Sequence, residues 1–399
     1  MYLKNSMPAY RQPLSPGDQA IFGTDGAETV ARLLALRGQA QPTPLHDLPG
    51  LAAALGLAAL HVKDEGQRLG LGSFKALGGA YAVMRLARGA AAAQWGRPVT
   101  LAELFAPPIR SVTRHMVFAC ATDGNHGRSV AQGAQQMGAR AVIFVHSGVS
   151  AGRIAAMTLL GAEIVRVEGT YDDSVAEAAR VAGARGWHLV SDTSWPGYEE
   201  IPGLVMQGYT AIVTELLAQI DTPPSHVFLQ AGVGGFAAAV AGHLAVRLGA
   251  RRPHITVVDP ARAATIFNSA QAGHPVRTAP TKPTVMAMLE CYEPSVSAFR
   301  VLERLADGFM TVDEDDALHA MRQLAAPVSG DPAVVAGESG GAGLAGLMAL
   351  LRDPQAVAAT GLGEHARVLV INTEGATDPA LYRAIVGRTP EAVSEGIPA

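Results

Sequence analysis

The chain has 399 residues, of which 49% are hydrophobic and 17% are charged, and its formal net charge is −4. This length allows two domains of roughly 100–200 residues each. The small net charge gives no support to a nucleic-acid or anionic-membrane partner, because either would need a basic face. The N-terminus lacks the apolar core of a signal peptide. Only two cysteines, Cys120 and Cys291, are present, too few for a disulfide scaffold or a thiolate metal site. We therefore expect a soluble cytoplasmic protein.

The first candidate functional residue along the chain is Lys75, one of only four lysines among 31 basic residues. It lies in GLGSFKALGGAYAV, which predicts the start of a helix flanked by small residues. Glycines there would let a planar ligand approach the backbone, and the helix N-terminus would lower the pKa of the amine so that it could form an imine. On this stretch alone, a surface lysine in a first helical turn is the favoured interpretation. The other three lysines, which are Lys4, Lys63 and Lys282, occupy positions that predict solvation or ion pairing.

After residue 112, apolar runs of strand length alternate with stretches of helical periodicity. Runs without internal alternation that are joined through helices indicate parallel strands covered on both faces, as in a doubly wound α/β fold. The uncharged stretch 222–246 is interrupted by prolines and glycines, which favours strand, loop and helix over a membrane span. The predicted strands are 115–121, 140–146, 163–167, 226–230, 254–258 and 367–372, and the predicted helices are 128–138, 151–160, 172–185, 235–248 and 314–325.

A polar loop, TDGNHG at 122–127, follows the first of these predicted strands. Asn125 and His126 are expected at the start of a helix, where free N–H groups could bind a carboxylate. Asp123 fits either an ordinary helix cap or, next to a cofactor, a proton acceptor that attracts cationic substrates. Two other polar residues also follow apolar runs, namely Asp192 after WHLV and Thr373 after RVLVIN. Taken separately, each fits a structural role.

The segment HVFLQAGVGGFAAAV at 226–240 predicts a strand, a glycine turn and a helix. Backbone N–H groups in such a turn would form a cradle for a phosphate. Gly232-x-Gly234-x-x-Ala237 also satisfies a permissive dinucleotide fingerprint, and Asp259 ends the next predicted strand, where a ribose-binding acid could lie. Tight packing of a strand against a helix would explain the glycines as well. The segment alone leaves all three interpretations open.

The motifs follow one another in a definite order: S-F-K at 73–75, G-N-H at 124–126, A-G-V-G-G at 231–235 and a strand-end hydroxyl at Thr373. In that order they resemble the fold-type II pyridoxal-phosphate enzymes, the group that contains threonine dehydratase, serine dehydratase and cysteine synthase. Within the group, ATDGNHGR, DTSWPGY, IPGLVMQGY and INTEGATD are most similar to the diaminopropionate ammonia-lyases. The resemblance runs from about residue 20 to about residue 385, and it is weaker over 85–112 and 260–310.

This resemblance implies an α/β fold of two doubly wound parallel-sheet domains with the active site between them. The large domain, 1–88 and 205–399, would bind pyridoxal 5'-phosphate, and the small domain, 89–204, would carry the loop that contains Asn125. Each motif residue also receives a role. Lys75 would hold the cofactor as a Schiff base, Asn125 would contact its phenolic oxygen, and Thr373 would face its pyridine nitrogen. The phosphate would be held by Gly232, Val233, Gly234 and Gly235.

Asp123 and Asp192 match the acidic catalytic positions of that family, and ordinary dehydratases of this fold have a small uncharged residue in place of Asp123. The substrate is expected beside Ser73, Thr122, Asp123, Gly124 and His126. The implied reaction is β-elimination of 2,3-diaminopropionate, on the D-isomer, the L-isomer or both, to pyruvate and two molecules of ammonia. A hydroxyl partner leaves the pyridine nitrogen largely unprotonated, which favours prompt loss of a β-substituent over a long-lived carbanion.

The partner expected from the resemblance is a small amino acid, and the expected assembly is a homodimer. Three alternatives stay open. One is a serine/threonine dehydratase-like lyase on the same cofactor. Another is an NAD-dependent dehydrogenase built on the fingerprint at 232–237, which would leave Lys75 without a role. The third is a non-catalytic ligand-binding protein on this fold.

Overall fold

The computed structural model describes residues 1–38, 41–328 and 330–396. Within these ranges, strands and α-helices alternate along most of the chain. The strands are β1 (Tyr2–Lys4), β2 (Leu45–Asp47), β3 (Ala59–Asp64), β4 (Val117–Ala121), β5 (Arg140–His146), β6 (Ala162–Val167), β7 (His188–Leu189), β8 (His226–Gln230), β9 (His254–Pro260), β10 (Gly308–Val312) and β11 (Arg367–Asn372).

The helices of the described ranges connect these strands and cover both sheets. They are α1 (Pro16–Phe22), α2 (Thr24–Leu36), α3 (Pro49–Ala54), α4 (Lys75–Trp95), α5 (Arg110–Thr113), α6 (Asn125–Met137), α7 (Ala151–Thr158), α8 (Tyr171–Arg185), α9 (Glu200–Gln219), α10 (Gly235–Leu248), α11 (Thr265–Ala272), α12 (Val296–Leu305), α13 (Glu314–Ala325), α14 (Ala342–Leu351), α15 (Pro354–Thr360), α16 (Pro379–Val386) and α17 (Pro390–Ser394).

All six predicted strands and all five predicted helices are present, most within two residues of the predicted bounds. The largest shift is at α6, which begins at Asn125 and not at residue 128, so Asn125 and His126 lie in its first turn. The structure adds three-residue strands at both edges of the larger sheet, too short to give an alternating pattern. The uncharged stretch 222–246 contains β8 and most of α10, as predicted.

The larger sheet has the strand order β1-β10-β9-β8-β11-β3-β2. Its five central strands are parallel, as expected. The edge strands β1 and β2 are antiparallel to their neighbours. The predicted α/β fold with parallel sheets is confirmed.

The smaller sheet, β6-β5-β4-β7, is parallel throughout and lies between residues 117 and 189. This is inside the range expected for the small domain, while α4 runs across residue 88. The domain boundaries themselves stay a prediction. One hydrophobic core connects the two sheets, since Leu229 and Val257 of the larger sheet share it with Val83 of α4 and with Phe118 and Ile143 of the smaller sheet.

The helix α4 packs closely against α6 and α9 because it carries glycines where they cross. A Cβ atom on Gly78 would lie 2.6 Å from Cε1 of Tyr209, and one on Gly79 would lie 3.0 Å from Oγ of Ser129. These glycines therefore allow helix packing and do not face a ligand, which corrects the interpretation of KALGGA. By length and composition, the helix α9 could cross a membrane. However, 67% of the apolar stretch of α9 that meets this criterion is buried inside the protein.

Candidate active site

The carboxyl ends of β4, β8 and β11 open into one cavity with about 820 Å³ of empty space. This position follows from the fold, because the loops after parallel strands meet at one edge of each sheet. Eleven of the thirteen residues predicted for the site line the cavity. They are Lys75, Thr122, Asp123, Asn125, His126, Asp192, Gly232, Val233, Gly234, Gly235 and Thr373.

The other two predicted residues, Ser73 and Gly124, lie beside the cavity. Ser73 is buried, forms an isolated bridge with Glu374, and its Oγ has no hydrogen-bond partner among the described residues. Gly124 is the N-cap of α6 and has a φ of 146°, a conformation that only glycine adopts readily. Its predicted contact with substrate is not supported by the cavity lining. Gly124 instead lets the chain turn from β4 into α6.

Lys75 is the first residue of α4, and its Nζ forms an ion pair with the carboxylate of Asp192. Burial alone would lower the pKa of Lys75, but the negative charge of Asp192 outweighs it, so the pKa lies above its usual range. Burial opposes ionisation of Asp192, yet the Lys75 ammonium holds the pKa of that carboxyl well below its usual range. The expectation that the helix N-terminus lowers the pKa of Lys75 was therefore wrong for this arrangement, because a full charge in contact outweighs a partial one.

The glycine loop after β8 is shaped to leave backbone N–H groups free. Gly234 has a φ of 98°, and a Cβ atom there would lie 2.9 Å from Cδ1 of Ile266. The helix α10 begins at Gly235, so its first N–H groups have no acceptor within the helix. Such a loop can bind an anion without any charged side chain.

Asp259, the candidate ribose-binding acid of the dinucleotide interpretation, has another role. It is 1% exposed, and its Oδ2 accepts a hydrogen bond from the N–H of Phe267 in the first turns of α11 (2.8 Å). Burial raises the pKa of Asp259 to about 8. A carboxyl group enclosed in this way cannot reach a ribose. Asp259 therefore cannot be the ribose-binding acid that a dinucleotide site would need.

Thr373 follows β11, and its hydroxyl faces the same cavity as the glycine loop. Its Oγ1 accepts a hydrogen bond from Nε2 of Gln230 (3.0 Å). The same Nε2 contacts the carbonyl oxygens of Ser339, Gly340 and Ile371, and it thereby ties β8 to β11. Sequence reasoning missed Gln230, although a polar residue that ends an apolar strand directly before a glycine turn could have indicated it.

Asn125 donates a hydrogen bond from Nδ2 to Oε2 of Glu374 (2.8 Å). Glu374 is 2% exposed, lines the cavity, and its Oε1 has no partner among the described residues. Burial, together with the nearby carboxyl group of Glu338, raises the pKa of Glu374 to about 8. Glu374 was also missed by sequence reasoning, and its position next to Thr373 was the available signal.

His126 and Asp123 differ in what they can offer a ligand. The ring of His126 is buried and its Nε2 contacts the carbonyl oxygen of Val190 (2.7 Å), while burial lowers the pKa of the ring. A neutral ring of this kind suits a packed, hydrogen-bonded histidine. Asp123 contacts Nε2 of His146 through Oδ1 (2.8 Å).

Residues 36–374 match the sequence model of the family described as pyridoxal-phosphate dependent enzyme. The chain belongs to this family. The site fits the cofactor on its own geometry, because an amine, an anion-binding glycine loop and a strand-end hydroxyl line one cavity. The fold observed here, an α/β arrangement with parallel sheets, is that of the fold-type II pyridoxal-phosphate enzymes.

Several members of the family are similar to this chain over most of its length. Diaminopropionate ammonia-lyase of Salmonella typhimurium is 39% identical over 354 residues, which cover 86% of this chain and 87% of that protein. The crystal structure of diaminopropionate ammonia lyase from Escherichia coli, in complex with an aminoacrylate-PLP azomethine reaction intermediate, superposes with a TM-score of 0.86 at 35% identity and covers 97% of this chain and 96% of that chain. The same Escherichia coli enzyme has a crystal structure in complex with D-serine, with a TM-score of 0.86 at 34% identity over the same shares of the two chains.

A more distant relative is the serine dehydratase-like protein of Mus musculus. It is 31% identical over 191 residues, which cover 48% of this chain and 54% of that protein. The likeness to the pyridoxal-phosphate dependent ammonia-lyases therefore extends over a much larger part of the chain than the likeness to this dehydratase-like protein.

Proposed function

We propose that this protein is a diaminopropionate ammonia-lyase that converts 2,3-diaminopropionate and water to pyruvate and two molecules of ammonia. The observation that carries the proposal is the presence of two carboxylates, Asp123 and Asp192, in the cavity that contains Lys75. A diamino acid brings one more cationic group than serine or threonine, and carboxylates in a partly buried cavity attract such a group. The likeness to two bacterial enzymes of this name supports the same substrate.

In the proposed site, each group of the chain has one task. Lys75 would hold the cofactor. The loop Gly232–Gly235 would bind its phosphate through backbone N–H groups, and Thr373 would meet its pyridine nitrogen. Asn125, whose Nδ2 donates to Glu374, would contact its phenolic oxygen. Pyridoxal phosphate, when bound, draws electrons away from the α-carbon of the amino acid and so makes its proton removable.

The two aspartates are the proposed bases for that α-proton. Asp123 would act on the D-isomer and Asp192 on the L-isomer, which requires them to lie on opposite faces of the planar cofactor. The electron pair left at the α-carbon expels the β-amino group as ammonia. The released aminoacrylate then takes up water and gives pyruvate and the second ammonia. No oxidant or reductant is needed, because the water molecule balances the atoms.

The test is the release of pyruvate from D- and L-diaminopropionate, compared with serine and threonine at equal concentrations. We expect diaminopropionate to have the higher kcat/KM by at least about tenfold, since the loss of a cationic partner of a buried carboxylate costs about 1.5–3 kcal/mol. Faster turnover of serine or threonine would instead favour the dehydratase alternative. A visible absorbance band that is lost on borohydride reduction is the control for bound cofactor.

We further propose a cytoplasmic homodimer that acts on a small amino acid and has neither a nucleic-acid nor a membrane partner. The two cysteines are free and buried, which fits a reducing compartment. The dimer rests on the family resemblance. Sedimentation of the holoenzyme tests it, and a monomer at the concentration of the assay would contradict it.

A further inference from the structure

His146 is the last residue of β5, and its side chain contacts Asp123 at the end of the neighbouring strand. The two strands pair in parallel, with Ala121 opposite Phe144, so their ends lie side by side. Nε2 of His146 is 2.8 Å from Oδ1 of Asp123. Both side chains are largely buried, with 23% of His146 and 17% of Asp123 exposed. Asp123 lines the active-site cavity, whereas His146 does not.

The second ring nitrogen of His146 fixes the direction of this hydrogen bond. The backbone N–H of Gly148 donates to Nδ1 of His146 (3.1 Å). Because Nδ1 is an acceptor, the proton of the neutral ring must be on Nε2, which donates it to Asp123. Oδ1 of Asp123 is thereby occupied. Oδ2 of Asp123 makes no hydrogen bond among the residues that the structure describes, and it is the oxygen left for a ligand.

Three charged side chains act on the His146 ring. Asp123 raises the pKa of His146 by its hydrogen bond and its charge, burial lowers it, Glu290 raises it and Arg153 lowers it. The pKa of His146 lies above its usual value as a result. Asp123 and Glu290 thus favour the protonated ring, while Arg153 and the N–H of Gly148 favour the neutral ring. The protonation of His146 thus depends on residues from three separate segments of the chain.

We propose that His146 is the positioning residue for Asp123: it holds one carboxylate oxygen and aims the other into the cavity, toward the D-isomer of the substrate. The proposal rests on the proposed function of this site. A protonated His146 would place a full positive charge beside Asp123 and oppose the transfer of the α-proton to its carboxylate, whereas a neutral ring would not. Turnover of the D-isomer should therefore rise as the pH increases through the pKa of His146. The L-isomer, whose proposed base is Asp192, should not follow this rise.

Two substitutions distinguish the effect of the hydrogen bond between His146 and Asp123 from the effect of protonating His146. His146→Ala removes the donor, and we expect it to lower kcat for the D-isomer by roughly 10- to 100-fold, as for a hydrogen bond to a charged group. His146→Gln places an amide N–H near the position of Nε2 and cannot titrate. It should restore most of the D-isomer rate and abolish the pH-dependent rise. His115→Ala is the matched control, because His115 is an exposed histidine that lies next to the smaller sheet but does not line the cavity.

Gly148→Ala tests the same arrangement without touching either partner. Gly148 is exposed, but a Cβ atom there would lie 2.8 Å from Cε1 of His146 and would displace the ring. We expect a loss on the D-isomer similar to that of His146→Ala, with the L-isomer rate unchanged. A loss of the same size on both isomers would mean that His146 only supports the fold, and it would overturn the proposal.

The readout is the ratio of the D-isomer rate to the L-isomer rate as a function of pH. The two isomers have identical amine pKa values, so protonation of the substrate changes both rates equally and does not affect the ratio. Histidine NMR of the holoenzyme gives an independent measurement, in which Asp123→Asn should lower the pKa of His146. If Asp123→Asn spares the D-isomer, the proposed role of Asp123 fails. If Asp123→Asn impairs the D-isomer but the His146 variants do not, only the present inference fails.

Discussion

Lys75 and Asp192 form an ion pair inside the active-site cavity, although 117 residues separate them in the chain. Asp192 follows β7 of the smaller sheet, and Lys75 begins α4. The ion pair therefore links the end of β7 to the start of α4 across the cavity. Tyr171 also donates to Asp192 through its hydroxyl group (3.4 Å). Asp192 is thus held between Lys75 and the first residue of α8.

Lys75→Ala should abolish both turnover and covalent attachment of the cofactor. No other lysine lines the cavity among the described residues, and Lys63 is buried in an ion pair with Glu215. Peptide mapping after borohydride reduction is the measurement, with the label expected on Lys75 of the parent protein. Lys282→Ala, at an exposed position, is the control and should keep the label. Label on Lys63 or Lys282 would refute the assignment.

Gly234→Asp should weaken retention of the cofactor. The Cβ atom would collide with Ile266, the positive φ disfavours any side chain, and the added carboxylate would repel a phosphate. We expect most of the cofactor to be lost on dialysis, measured by absorbance per mole of protein. Gly249→Asp is a suitable control, because Gly249 also has a positive φ but has open space around its Cβ position. Full retention in Gly234→Asp would remove the phosphate role from this loop.

Asp259 predicts a pH dependence of stability. Its pKa is about 8 in the folded protein and about 3.9 in an unfolded chain. Between these values the folded state binds a proton at Asp259 that the unfolded state does not, so the contribution of Asp259 to stability is largest at low pH and falls as the pH rises through this window. Asp259→Asn keeps an acceptor for Phe267 and does not titrate. Relative to the parent protein, it should gain up to ~1.4 kcal/mol in unfolding free energy per pH unit.

Denaturant unfolding at several pH values between 5 and 8 measures this difference. Using the difference between the two proteins cancels the other titrating groups, provided that they are undisturbed. Parallel curves for Asp259→Asn and the parent protein would show that Asp259 is ionised in the folded state. They would also reopen a ligand-binding role for that carboxylate.

Much of the site could be predicted from sequence because each motif is local. Asn125 and the glycine loop lie where a strand gives way to a helix, and such transitions are visible in apolar periodicity. Lys75 lies at the start of a helix, which the small residues around it indicated. The predicted bounds of α10, 235–248, match the structure. Thr373 was found in the same way, at the end of β11.

The remainder depends on which distant segments meet. Nothing in RAVIFVH marks His146 as the partner of Asp123, because that contact depends on the register between β4 and β5. Glu374 is significant only because Asn125, 249 residues earlier, donates to it. The pKa of Lys75 was misjudged for the same reason, since the helix N-terminus is a local feature and the charge of Asp192 is not.

Asp123 and Asp192 give the sharpest prediction, because the proposed function assigns each of them to one isomer. Asp123→Asn should impair the D-isomer more, and Asp192→Asn should impair the L-isomer more. Loss of a positioned general base lowers a rate by roughly 10²–10⁴-fold, far more than the loss of a helix cap does. The two aspartates have different partners, since Asp123 is hydrogen-bonded to His146 and Asp192 is paired with Lys75. Each variant therefore needs its own control.

The amide is nearly isosteric with the carboxylate, so both variants should fold and keep the visible absorbance of the bound cofactor, which serves as the control. Asp192→Asn also removes the charge that raises the pKa of Lys75. Its cofactor should therefore attach at lower pH than in the parent protein, and a pH titration of the absorbance measures this shift separately from turnover. Rates of each variant on each isomer decide the assignment. Small and equal losses on both isomers would make the two aspartates structural and would leave the diamino-acid substrate without its chemical basis in this cavity.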